Sequence, residues 1–316
     1  MAHGSHDALA WVESPLQVLT AAEWAHRYRA ETGGSTAIAY RISDPQVVST
    51  VEAMHRMGAP FSRFEPYVGI PWMLLATSRH WVIGDPLSGQ FRAAAAVLPR
   101  PRRVTVVDDG AMVVRAMRAI AGEVDYSRPG QTESRTKVLL GGLSAERMRG
   151  LARAGRVELF TVFEAAADPA RRSGVAVTTD DFGWLREAAG GVDAPAIRLP
   201  HHRIVLGSAR VVDGLLRAER YLAWVRGLAE ERPITYLPHR RETPALVDAV
   251  SALTGVSVVR ADLPVELVLA GNREPLDLHT LPSSAVTTLR VVLDGTGSTI
   301  HAGRLPAGSS SSGAAR

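Results

Sequence analysis

Short apolar runs alternate along this chain with longer amphipathic stretches, and each change of period falls at a capping or turn residue. Ala8–Glu13 is the first run. Ser14-Pro15 follows, with serine at an N-cap, proline at the first helical position and Gln17 three residues after the cap, which predicts a helix to about Ala30. Thr36–Tyr40 predicts a second strand, and Asp44-Pro45 opens a helix ending near Gly58. The rhythm continues with a strand at His80–Gly84, a helix at Leu87–Leu98, a strand at Val104–Val107 and a helix at Ala111–Ala121. Strand and helix in alternation argue for a parallel sheet covered by helices on both faces.

The middle of the chain is less regular. Pro60–Arg79 and the polar, Gly-rich Gly122–Gly142 read as long loops, and Val157–Phe163 as a strand. Ala165–Gly174 and Gly190–Pro200 carry proline, glycine and small residues, which puts a domain junction near 190–200. The rhythm then restarts, with strands at Arg203–Leu206, Pro233–Leu237, Val256–Arg260 and Leu289–Leu293. Helices are expected over Leu215–Glu230, from Thr243-Pro244 to Leu253, over Pro264–Ala270, and opening at Ser283–Thr288. The small, polar tail from Pro306 is expected to be disordered. The organisation expected is therefore one α/β domain over 1–195, a second over 196–305, and a tail at 306–316.

Composition narrows the class. The 316 residues are 46% hydrophobic, enough for a core in each of two domains. Mean hydropathy is +0.02, and no run approaches the roughly 20 apolar residues of a membrane span. The polar start, Met1–Asp7, has no basic segment followed by an apolar one, so no secretory signal is expected and a cytoplasmic location fits. With no cysteine there is no disulfide framework, no thiolate metal site and no cysteine nucleophile. Of 36 basic residues only Lys137 is lysine, and the arginines are interleaved with acids along the chain. Without a clustered basic stripe, nucleic acid is not an expected partner. The net charge of +4 allows peripheral contact with an anionic inner membrane face.

Ionisable residues cluster where apolar runs end. Val104–Val107 runs into Asp108-Asp109-Gly110. Neighbouring side chains on a strand point to opposite faces, so one carboxylate should face a cleft and the other brace the turn. The pair suits a base that deprotonates an attacking hydroxyl, a helix N-cap or a solvated turn; as a metal site it lacks a third ligand at a recognisable spacing. In the second half, Pro233–Leu237 runs into His239-Arg240-Arg241-Glu242. That cluster suits an anion met by cations and helix N–H groups, or a surface turn in which Glu242 pairs with an arginine. Gly207-Ser208 and Ser283-Ser284 suit phosphate contacts, and equally a plain turn and an N-cap. Glu266 suits a ribose hydroxyl or base edge, or a helix face. His201-His202 has no neighbouring metal spacing, His279 reads as a loop histidine before the serine pair, and Trp72 and Trp81 read as candidates for an acceptor groove. No P-loop, dinucleotide fingerprint or nucleophile elbow is present.

Taken in order, four of these islands resemble the bacterial sialyltransferase and α-2,8-polysialyltransferase-like families. They are Glu13-Ser14-Pro15-Leu16-Gln17-Val18-Leu19 with Ala22-Glu23, the Asp108-Asp109-Gly110 motif, Tyr236 to Glu242, and Pro282-Ser283-Ser284. One departure is that proline precedes the histidine, as Pro238-His239, where the families place it after. The resemblance implies a GT-B fold: two Rossmann-like domains, acceptor-side first and nucleotide-sugar-binding second, with parallel sheets facing across a cleft. It implies inverting transfer of sialic acid from CMP-sialic acid, or of another activated sugar, to a glycan hydroxyl, with no metal and no cofactor. Asp108 would be the base, leaving Asp109 as its alternate, and His239 would act on the leaving phosphate held by Ser283 and Ser284. Ser14, Gln17, Gly110, Gly207, Ser208, Arg240, Arg241 and Glu266 would line the substrate sites. A different GT-B transferase and a non-catalytic nucleotide- or glycan-binding relative are the alternatives.

Overall fold

The computed structural model describes residues 7–128 and 134–303. The tail expected at 306–316 lies outside the described residues, as do residues 129–133 of the expected loop. The chain divides into two compact units. The first takes the residues up to Ala196 together with Asp262–Asn272 and Thr287–Val292; the second takes Ile197–Ala261, Arg273–Val286 and the residues from Leu293. No helix among the described residues is long and apolar enough to cross a membrane.

The first unit runs β1 (Ala8–Val12), α1 (Pro15–Thr32), β2 (Thr36–Arg41), α2 (Pro45–Arg56), β3 (Arg63–Tyr67), α3 (Trp72–Thr77), β4 (His80–Ile83), α4 (Gly89–Val97) and β5 (Arg103–Val107). It continues with α5 (Met112–Ile120), α6 (Arg135–Arg153), β6 (Val157–Thr161), α7 (Glu164–Arg172), β7 (Ala176–Thr179) and α8 (Gly183–Ala188). The strands form a parallel seven-stranded sheet in the order β3-β2-β1-β4-β5-β6-β7. Central β1 is buried at all five positions, as a strand covered on both faces must be. Its exit into α1 is set by Ser14, whose side chain accepts from the Gln17 amide, and by Pro15 at the first helical position. The Gln17 side chain reaches back one residue further than a capping box would, to the amide of Glu13 at 2.8 Å.

The second unit holds β8 (Arg203–Leu206), α9 (Ala218–Glu231), β9 (Ile234–Leu237), α10 (Pro244–Ser251), β10 (Val256–Val258), β11 (Asp277–Thr280) and β12 (Thr299–Ala302). Its parallel sheet has the order β10-β9-β8-β11-β12. Helix α11 (Val265–Ala270) belongs to the first unit, and α12 (Ala285–Val292) begins in the second and ends in the first.

Several expectations are corrected. Leu289–Leu293 is the end of α12 and the turn after it, because a five-residue apolar run is as compatible with a buried helix face as with a strand. The expected loop at 122–142 is helical from Arg135, and 165–174 lies mostly within α7, whose Pro169 is accommodated inside the helix. Pro60–Arg79 contains β3 and α3. Trp81 is a core residue, 1% exposed, whereas Trp72 stays 42% exposed. His279 is a strand residue of β11.

Each sheet reverses its order at one place, between β1 and β4 in the first unit and between β8 and β11 in the second. Loops leaving the strand carboxyl ends there diverge to opposite faces and open a crevice, which is where open α/β sheets bind ligands.

Candidate active site at the strand carboxyl ends

In the first unit the loops leaving β1, β4 and β5 bring three carboxylates to the reversal point. Glu13 follows β1 and pairs with Arg41 at the end of β2, whose guanidinium also donates to Gln90 Oε1 at 2.9 Å. Asp85 follows β4 and is buried. Its Oδ1 accepts from the Leu87 amide at 2.8 Å, and its Oδ2 pairs with Arg128, whose Nε lies 2.8 Å away. Asp109 follows β5, and its Oδ1 accepts from the Ser14 hydroxyl at 2.8 Å. Burial raises the Asp109 carboxyl above the ordinary range, and the Asp85 charge pushes the same way. Glu13 is raised by burial against the pull of Arg41. Ser14 and Gln17 therefore orient this crevice: one holds Asp109, the other fixes the backbone of Glu13.

Asp108 points the other way. It is fully buried, with Oδ1 accepting from the Thr161 hydroxyl and Oδ2 from the Val162 amide at 2.8 Å. Its carbonyl accepts from Thr20 Oγ1 at 3.3 Å. Alternation along the strand thus separates the two aspartates, and the Asp108 carboxylate, expected at the cleft, instead ties β5 to the end of β6. Gly110 sits at φ +64°, which lets the chain turn sharply between Asp109 and α5.

Burial pushes Asp108 up to about 7, over the opposing bonds from Thr161 and Val162. Glu23, on α1, is likewise pushed to about 7 by burial, against the amides of Leu185 and Trp184 that it accepts at 2.6 and 3.1 Å. Both groups hold a proton more tightly folded than unfolded. Their stabilising contribution is full below the ordinary carboxylate pKa and is lost as pH rises through about 7. Urea unfolding of the wild-type protein is expected to show about 1–3 kcal/mol more stability at pH 5 than at pH 7.5 from Glu23 alone. Glu23→Gln should flatten that slope; an unchanged slope in the variant would refute the assignment.

In the second unit Gly207-Ser208 leaves the carboxyl end of β8 and Pro238-His239 that of its neighbour β9. Gly207 lies so close to the next loop that an added Cβ would stand 2.3 Å from the His239 amide nitrogen, so only glycine fits. Glu242 knits these loops from beneath. It accepts from the Ser208 amide at 2.9 Å, the His239 amide at 3.2 Å, and the hydroxyls of Tyr236 at 2.7 Å and Tyr221 at 3.3 Å. The surface arginine pair considered for Glu242 is thus replaced by an inward one with two tyrosines and two amides.

His239 Nδ1 accepts from the Arg241 amide at 3.1 Å. Burial, then Arg240 and Arg241, lower its pKa, so at neutral pH the ring is uncharged and carries its proton on Nε2. Arg241 is paired with Asp213, Arg240 is exposed, and Ser283 and Ser284 are exposed at the start of α12. Glu266 is buried in the first unit with Oε1 accepting from Thr288 at 2.6 Å, and burial raises its carboxyl. That places it on a packed helix face, without a polar side open to a nucleotide. His201 is held by Thr235 and Ser257, and His202 pairs with Glu274.

Sequence reasoning missed Asp85, Arg41 and Arg128. Asp85 had a signal, since His80–Gly84 breaks into Asp85-Pro86 as Val104–Val107 breaks into its acidic pair. The two arginines had none, because their partners are remote in sequence. Among the described residues, two groups gather histidine or carboxylate atoms at metal-like spacing, Asp277/His279/His301 and Glu23/Asp180/Asp181; neither includes Asp109 or His239.

Neither a protein-family model nor a curated protein sequence matches the chain. Its fold is that of solved structures. A protein from Listeria monocytogenes assigned as a UDP-N-acetylglucosamine 2-epimerase aligns over 88% of this chain and 74% of its own, with TM-score 0.53 and 10% identity. The UDP-GlcNAc 2-epimerase of Methanocaldococcus jannaschii aligns over 93% and 89%, with TM-score 0.49 and 12% identity. The E. coli heptosyltransferase WaaC aligns over 90% and 85%, with TM-score 0.45 and 13% identity. Two parallel Rossmann-like α/β units of seven and five strands make this a GT-B fold.

Proposed function

We propose that the protein is an inverting glycosyltransferase in which Asp109 is the base. The observation that carries this reading is the position of Asp109 at the sheet reversal, held by Ser14 and made more basic than an ordinary aspartate by burial. In the reaction an acceptor hydroxyl gives its proton to Asp109 while its oxygen attacks the anomeric carbon. The bond from that carbon to the nucleotide phosphate breaks, and the phosphate leaves with the electron pair. The groups of the second unit that suit a phosphate are His239, with its Nε2–H donor, the hydroxyls of Ser283 and Ser284 at the start of α12, and Arg240, which adds charge. Arg241 braces the loop through Asp213. Gly207 and Ser208 shape the crevice wall, because Glu242 already occupies the Ser208 amide.

The donor we propose is CMP-sialic acid and the acceptor a glycan hydroxyl. Support comes from the ordered sialyltransferase-like islands, which include Ser14 and Gln17 around the proposed base. Thermal-shift titration with CMP, UDP and GDP, followed by transfer assays with their sugars, tests this. A rise selective for CMP, with turnover of CMP-sialic acid, is expected. Selectivity for UDP would discard the sialyl donor and keep sugar transfer. Epimerisation of UDP-N-acetylglucosamine with no acceptor present would move the reading to the activity for which the Listeria protein is named.

A further inference from the structure

The sheet of the second unit carries a cluster that plays no part in the proposed transfer. Asp277 and His279 are two residues apart on β11, so their side chains share a face. His301 lies on β12 directly opposite His279 in the parallel register. The two imidazoles stack at 4.7 Å with 21° between planes, and both turn Nε2 to one carboxylate oxygen. Asp277 Oδ1 is 3.2 Å from His279 Nε2 and 2.9 Å from His301 Nε2. Ligand atoms around a tetrahedral zinc ion lie about 3.3 Å apart, given bonds of about 2.0–2.1 Å.

We propose that Asp277, His279 and His301 form a zinc-type metal site that clamps the edge strand β12 to β11. Two imidazole nitrogens and one carboxylate suit Zn²⁺ and its first-row neighbours, and are a poor match for Ca²⁺ or Mg²⁺, which take oxygen ligands. His279 is largely buried, with its side chain 15% exposed, whereas those of Asp277 and His301 are 37% and 55% exposed. The ion thus enters from solvent, and water completes its coordination.

A guanidinium stands behind the cluster. Arg203, on β8, places Nε 3.4 Å from Asp277 Oδ2 and 3.2 Å from His279 Nε2. Its charge is balanced by Glu231 at 2.7 Å, and its Nη1 donates to the Leu228 carbonyl at 3.1 Å. Arg203 Nε donates to His279 Nε2, so a metal bound there displaces that hydrogen bond; Arg203 then keeps Asp277 Oδ2 and holds the carboxylate with Oδ1 toward the imidazoles.

The full chain, stripped with a chelator and dialysed, is titrated with ZnCl₂ by calorimetry and with CoCl₂ by visible absorption. One saturable equivalent is expected, with tetrahedral Co²⁺ bands and a higher melting temperature in Zn²⁺. His301→Ala, a change at an exposed side chain, and Asp277→Asn should each weaken this binding by about tenfold or more, while far-UV circular dichroism stays unchanged. Because the variants share every other histidine with the wild type, adventitious binding elsewhere survives in both. Absence of a saturable site, or His301→Ala binding as the wild type does, overturns the proposal. Neither result bears on Asp109 or the nucleotide donor, which are read by transfer.

Discussion

Replacing Asp109 with asparagine is expected to lower sugar transfer by on the order of 10²–10⁴-fold, the range typical of a lost general base. The variant should fold, because asparagine keeps an oxygen able to accept from the Ser14 hydroxyl, and it should still bind nucleotide. The loss should appear in kcat, since the proton moves in the transition state. Asp108→Asn gives the contrasting result. It places an amide against two donors, the Thr161 hydroxyl and the Val162 amide, so about 1–3 kcal/mol of stability is lost while the surviving folded protein turns over. Steady-state transfer and urea unfolding on both variants separate the roles. If Asp109→Asn turns over at the wild-type rate, the base is elsewhere.

The second large effect falls on stability. Glu242→Ala removes the acceptor shared by the Tyr236 and Tyr221 hydroxyls and the Ser208 and His239 amides. Both tyrosines are fully buried, and their hydroxyls lie 2.7 Å apart, so one can partly satisfy the other. The Ser208 and His239 amides, on partly exposed residues, lose their acceptor as well. A loss of about 3–5 kcal/mol is expected, with Glu242→Gln losing less. Urea unfolding followed by tryptophan fluorescence measures it, through Trp224 on α9 beside Tyr221. A variant whose midpoint stays within error of wild type would show that Glu242 does not tie these loops.

The parallel α/β character was legible because central strands such as β1, β5 and β8 are short apolar runs bounded by caps and turns. The edges were not. β3 reads Arg-Phe-Glu-Pro-Tyr, with Pro66 tolerated because an edge strand can leave one side unpaired. β7 and β12 are also edge strands and are largely exposed, so neither shows the apolar run that marks a buried strand. β11 was hidden by its polar alternation of Asp277 and His279, the residues that form the proposed metal site. At the acidic motif, pattern alone established that one of two aspartates faces inward. Only the partners Thr161 and Ser14, reached through other strands and loops, show which. The arginines of that crevice come from the end of β2 and from the segment after α5, spacings no local motif records.

The path of the chain also bears on its biogenesis. Leu267 and Val292, from segments far along the chain, lie in the same hydrophobic cluster as β1, β4 and β5. A ribosome making this protein releases the whole seven-stranded layer long before those two side chains emerge. During that interval the earlier half waits with part of its interior open to solvent, a window in which a chaperone would have work to do.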